Sequence, residues 1–195
     1  MNNKKTPELS PRKFLPPRLS LAVQYASAAR NLPTRAQFRR WVKIALKHDV
    51  AMTLRIVDEA EGRELNRKYR SRDYATNVLT FVYDDEQTPP SPPLSGEEPY
   101  SPPDKGGWGV AFQPLHGDVV ICAPVVEREA AAQHKDLFAH YAHLAIHAAL
   151  HLQGYEHEND IDAAGMEALE TELMLKLRYP DPYQTTRIAN ERPRK

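Results

Sequence analysis

The chain has 195 residues, with 26 basic and 26 acidic side chains, so its formal net charge is zero. A single cysteine excludes a disulfide-stapled scaffold and a cysteine-rich zinc site. No apolar run reaches the roughly 20 residues that span a bilayer. The start, MNNKKTPELSPRKFLPP, lacks the apolar stretch of a signal peptide, so a cytoplasmic protein with no membrane partner is expected. The zero is a cancellation, because residues 1–48 carry +10 and the remainder carries −10. A basic arm and first helix of that kind can meet phosphate backbones, so neutrality does not exclude a nucleic-acid partner.

In chain order, residues 1–17 read as a basic, flexible tail. Leu19, Leu21, Val23 and Tyr25 alternate with smaller or polar residues and predict a strand. Thr34 and Gln37 have the spacing of a capping box, with Phe38, Trp41, Val42, Ala45 and Leu46 following at helical spacing. Met52, Leu54 and Ile56 predict a second strand, and residues 59–70 a short polar helix. Thr76–Tyr83 and Gly117–Cys122 are β-rich runs. Seven prolines between Pro89 and Pro103 mark residues 84–115 as an acidic, Pro-rich surface loop, either a tolerated insertion or a docking site for a proline-reading partner.

Beyond it, Pro124 opens a helix through about Gln133. Asp136 caps a long helix that ends before Gly154, read as its C′ residue. A last helix places Met166, Leu169, Leu173, Met174 and Leu177 on one stripe and stops at Tyr179-Pro180. The pattern fits one α+β domain over 18–183, an approximately four-stranded mixed sheet with packed helices, followed by a tail at 184–195.

Five of the eight histidines, His140, His143, His147, His151 and His157, fall within eighteen residues. His143, His147 and His151 are four apart and share a helical face. Gly154 lets the chain leave the helix and fold back, so that His157 can reach an ion held by His147 and His151. Three neutral imidazoles with a fourth position open are the arrangement of a catalytic zinc site. His143 is expected beside the ion rather than on it, and His140 is expected to be structural. The spacing H-x₃-H-x₂-G-x₂-H equals that of metzincin proteases, H-E-x-x-H-x-x-G-x-x-H, but Ala148 stands where their general base would be. Glu156 offers a carboxylate next to His157, or is an exposed turn residue.

The run His147, Leu150, His151, Leu152, Gly154, Tyr155, His157 resembles the motif of the YbeY family, bacterial metal-dependent endoribonucleases. Ala148 departs from that motif at a usual glycine, and Glu156 at a usual aspartate. A second block, with Leu65, Asn66, Tyr69, Arg70, Asp73, Thr76, Asn77, Val78, Leu79 and Phe81 in register, is similar to another family motif; Ala75 replaces its proline and Thr80 its serine. GDVVIC at Gly117–Cys122 resembles a third. Agreement of three separated blocks covers about residues 50–183 and leaves out the basic tail and the Pro-rich run.

The resemblance implies a zinc-hydrolase-like (zincin-like) architecture with one Zn²⁺ per chain on His147, His151 and His157. It implies Arg70 as the key arginine meeting RNA near the metal. It further implies single-strand-specific cleavage in 16S ribosomal RNA 3′-end maturation and ribosome quality control, with ribosomal RNA, the small subunit and ribosome-associated proteins as partners. From the residues alone, Arg63, Arg67, Lys68 and Arg72 make either a phosphate-binding segment or a solvated helix face, and Arg70 itself could pair with Asp73. Asp118 could end a strand near the metal or serve a turn. Two alternatives stay open: a zinc metallopeptidase, weakened by Ala148, and a non-catalytic ribosome-assembly factor with a structural metal.

Overall fold

The computed structural model describes residues 16–83, 114–157 and 159–184. The two predicted tails, apart from residues 16, 17 and 184, and all but the last two positions of the Pro-rich run lie outside the described residues. The elements run β1 (Leu19–Ala26), α1 (Arg35–Ile44), β2 (Val50–Val57), α2 (Glu59–Arg70), β3 (Val78–Tyr83), β4 (Leu115–Cys122), α3 (Ala123–Ala132), α4 (Leu137–His151) and α5 (Asp160–Lys176). Each predicted strand and helix is present. Some boundaries differ: β3 starts at Val78 rather than Thr76, α5 ends at Lys176, and β4 starts at Leu115, inside the stretch read as loop, because Leu115 pairs with Val50 of β2 as the first rung of the ladder.

The strands form one sheet in the order β1-β2-β4-β3. β1, β2 and β4 are parallel, with Leu19 opposite Val50 and Val50 opposite Leu115. β3 closes the edge antiparallel to β4, with Val78 opposite Ile121. The α+β assignment therefore holds, with a mixed sheet.

Side chains alternate across a strand, so the sheet divides the apolar residues into two clusters. Leu54, Ile56, Val119 and Ile121 join Phe38 and Trp41 of α1, Ala145, Ile146 and Ala149 of α4, and Met166, Leu173 and Met174 of α5 in the larger core. Val57, Leu79, Val120 and Cys122 face the other way and meet Leu65 of α2, with Tyr69 and Phe81 packed against them. The Tyr69 and Phe81 rings meet edge-to-face at 4.9 Å. α4 is apolar nearly all round because it lies between the sheet, α1 and α5, and residues from Ala139 to Leu150 are buried except His143 and His147.

The capping box forms as predicted: Thr34 Oγ1 accepts from Gln37 N at 3.3 Å and Gln37 Oε1 accepts from Thr34 N at 2.8 Å. Asp136 caps α4 through Ala139 N at 2.8 Å, and Asn159 caps α5. α4 ends in a Schellman closure, Tyr155 N to Leu150 O and Gly154 N to His151 O, with Gly154 at φ +82°. A left-handed backbone there favours glycine, and it turns the chain back over the helix end.

Candidate metal centre

That turn decides where the third histidine goes. His147 and His151 project from consecutive turns at the end of α4, half-buried, and the reversed chain carries the exposed His157 back to them. One donor nitrogen from each of the three lies within 4.8 Å of the others. His147 Nε2 and His151 Nε2 are 3.1 Å apart, and the His157 ring lies 5.6 and 5.0 Å from the other two. Tetrahedral coordination with bonds of about 2.0–2.1 Å puts neighbouring ligand nitrogens about 3.3 Å apart, so the spacing fits a divalent ion. Three imidazoles without a thiolate suit a late first-row ion and leave a coordination position open.

Burial, and then the neighbouring His147, lower the pKa of His151, which favours the neutral form that can bind metal. Glu156 is exposed, and its Oε2 lies 3.6 Å from His151 Nδ1, the ring nitrogen that does not face His147. Ala148 is fully buried in the core and supplies no carboxylate.

Two contacts of this cluster were not read from the sequence. Glu170 of α5 is only 1% exposed, and its Oε1 lies 2.7 Å from His147 Nδ1. Its Oε2 lies 3.3 Å from His143 Nε2 and accepts a hydrogen bond from the Tyr183 hydroxyl. Burial would raise the Glu170 carboxyl, but the hydrogen bonds from His143 and His147 outweigh it and hold it down at about 2. The available signal was spacing, since Glu170 falls four residues from both Met166 and Met174 on the apolar stripe. His143 thus sits beside the cluster as expected, and His140 is tied to Glu129 Oε2 at 2.9 Å, away from it.

Arg70 is the last residue of α2, exposed, and its side chain makes no hydrogen bond or ion pair to another described residue. No such contact joins it to the histidines, and α2 packs on the sheet face opposite α4. The suggested Arg70–Asp73 pair does not form, because Asp73 is taken by Arg63 in a two-point contact of 2.9 and 2.7 Å. Asp118 does not lie at the metal: it points to the α2 side of β4 and accepts from the Tyr83 hydroxyl at 2.7 Å. Arg67, Lys68, Arg70 and Arg72 remain as an exposed basic group at the end of α2.

The family model described as Endoribonuclease YbeY matches residues 24–178, which includes every residue of the histidine cluster. The chain belongs to the YbeY family. The Endoribonuclease YbeY of Nitrosospira multiformis is 54% identical over 175 residues, covering 89% of this chain and 86% of that protein. That of Methylobacillus flagellatus is 49% identical over 169 residues, covering 87% and 96%. That of Cupriavidus metallidurans is 47% identical over 175 residues, covering 88% and 77%. No helix among the described residues is long and apolar enough to cross a membrane.

Proposed function

We propose that this YbeY-family chain is a metal-dependent endoribonuclease of single-stranded RNA. Its substrate is ribosomal RNA, its step is 16S 3′-end maturation on the small subunit, and its cofactor is one Zn²⁺ held by His147, His151 and His157. The observation that carries the reading is the convergence of those three donors within 4.8 Å in a chain whose relatives are named endoribonucleases. A divalent ion held there supplies Lewis acidity to a phosphoryl oxygen and makes water a better nucleophile. The chain's own part is to present the ion from a rigid helix end with one side open to solvent. Arg70, open to solvent at the end of α2, is suited to grip a backbone phosphate by charge-assisted hydrogen bonds, and the neighbouring Arg67, Lys68 and Arg72 add to the local positive field.

The test is cleavage of precursor ribosomal RNA, with casein in parallel, by the purified chain with and without chelator. RNA cleavage that chelator abolishes, zinc restores and His151→Ala removes is the expected result. Casein cleavage without RNA cleavage would replace the reading with a metallopeptidase. Normal maturation in cells carrying a folded His151→Ala chain would leave only a structural metal.

A further inference from the structure

We infer that Glu170 and Tyr183 form a positioning device for the metal centre: the buried carboxylate fixes His147 as the Nδ1–H tautomer and so turns its Nε2 lone pair toward the ion. The inference rests on the metal-binding reading of His147, His151 and His157.

A carboxylate that is 1% exposed, on a stripe otherwise made of Met166, Leu173 and Met174, has given up its hydration. It is tolerated only if donors take its oxygens. The structure provides three, one on Oε1 and two on Oε2: His147 Nδ1, the Tyr183 hydroxyl and His143 Nε2. An ionised carboxylate can only accept, so His147 Nδ1 carries the hydrogen. A free histidine side chain prefers the hydrogen on Nε2, so Glu170 selects the less favoured tautomer. Nε2 of His147 is then a bare acceptor, and it is the atom 3.1 Å from His151 Nε2. A carboxylate behind a ligand imidazole also makes that imidazole more basic toward the ion.

Tyr183 completes the arrangement from outside the helix. The chain after α5 is pinned by Asp181, whose Oδ1 accepts from Tyr183 N at 2.9 Å and from Thr171 Oγ1 at 3.2 Å. This places the Tyr183 ring edge-to-face on His143 at 5.3 Å, with its hydroxyl on Glu170. Burial, with the adjacent carboxylate, pushes the Tyr183 hydroxyl up, so it stays protonated and remains a donor. The segment beyond the last helix thereby reaches the metal ligand through a single carboxylate.

The experiment measures zinc affinity of the full chain by competition with a chromophoric chelator, alongside thermal unfolding of the metal-free protein. Glu170→Gln is expected to raise the zinc Kd by about 10- to 100-fold. Tyr183→Phe, which removes one of the two donors on Oε2 and leaves His143 Nε2, should raise it by about 3- to 10-fold. A carboxylate with only a packing role would lower the melting temperature and leave the Kd alone, and an unchanged Kd in folded Glu170→Gln overturns the inference. A second measurement needs no variant: ¹⁵N spectra of the metal-free wild-type chain at alkaline pH should show His147 as the Nδ1–H tautomer. An Nε2–H form would overturn it. A wild-type chain that binds no zinc would overturn the metal reading itself, and the tautomer measurement separates that outcome from a failure of Glu170.

Discussion

Gly117 and Leu152 meet where β4 passes under the end of α4: a Cβ on Gly117 would stand 2.2 Å from Leu152 Cδ2 and 2.4 Å from the Phe81 carbonyl oxygen. Leu152 can rotate away, but the carbonyl belongs to the β3–β4 ladder and cannot. Leu152 also follows His151 directly. Gly117→Ala should therefore cost about 1–3 kcal/mol by overpacking and weaken zinc binding as well. Gly165→Ala is the control, since nothing lies within 4 Å of its Cβ and it is interior to α5. It should raise stability by about 0.5–1 kcal/mol with unchanged zinc affinity, read by denaturant unfolding and chelator competition.

Gln153 ties two helix ends together just before the turn. Its Oε1 accepts from Lys47 N at 2.6 Å and His48 N at 3.3 Å, and its Nε2 donates to Ala45 O at 3.0 Å and Ala149 O at 2.8 Å. Gln153→Ala leaves the end of α1 without these partners. A loss of about 2–3 kcal/mol is expected in urea unfolding, discounted from the sum of the bonds because water reaches part of the site. The turn that delivers His157 should also loosen, visible as faster amide exchange at Gly154 and Tyr155.

Arg70→Ala should leave fold and metal content as they are, within about 0.5 kcal/mol and at the same zinc stoichiometry, because the side chain is exposed and makes no bond to the described residues. RNA turnover should fall by about 10- to 100-fold, less than for a desolvated transition-state donor, because the guanidinium is open to water. The salt dependence of RNA binding should flatten by about one phosphate contact. Equal turnover in the variant would remove Arg70 from the reaction.

Glu129 gives the fold an acid-sensitive joint. Burial raises its carboxyl, but hydrogen bonds from His140 Nε2 at 2.9 Å and Asn77 Nδ2 at 3.0 Å, with Lys135 nearby, prevail and lower it. A depressed carboxyl stabilises the fold above its unfolded pKa of about 4.3 and loses that contribution as pH falls through the lower folded value. Glu129→Gln should thus lower stability by about 1–2 kcal/mol at pH 7. The gap from wild type should narrow as pH falls below about 4, followed by thermal melts across pH.

What could be read in the sequence was what depends on neighbours along the chain. Alternation gave the strands, Thr34 with Gln37 gave the start of α1, and the spacing of His147, His151, Gly154 and His157 gave the cluster, because a helix period and one left-handed residue determine the geometry. Glu170 could not be recognised in the same way. α5 holds Asp160, Asp162, Glu167, Glu170 and Glu172; spacing from Met166 and Met174 turns Glu170 inward, but only the approach of α4 brings His143 and His147 to it. The side taken by Asp118 stays open in the sequence, because strand parity becomes a face only once the covering helices are known. Asp73 lies three residues from Arg70 and ten from Arg63, yet it pairs with Arg63, so distance along the chain does not decide the partner and the fold of the turn after α2 does.

The division of the apolar residues by the sheet means that its two faces are not equally anchored. α4, with His147 and His151, is held by the large cluster shared with α1 and α5, whereas α2, which ends in Arg70, is held through Leu65 and Tyr69 by the smaller cluster on the other face. Local opening follows buried contact, so α2 should form a separate cooperative unit that opens at lower free energy than α4. Its amides should exchange with solvent well before those of α4. The basic end of α2 can then adapt to the backbone of a nucleic acid while the imidazoles stay fixed.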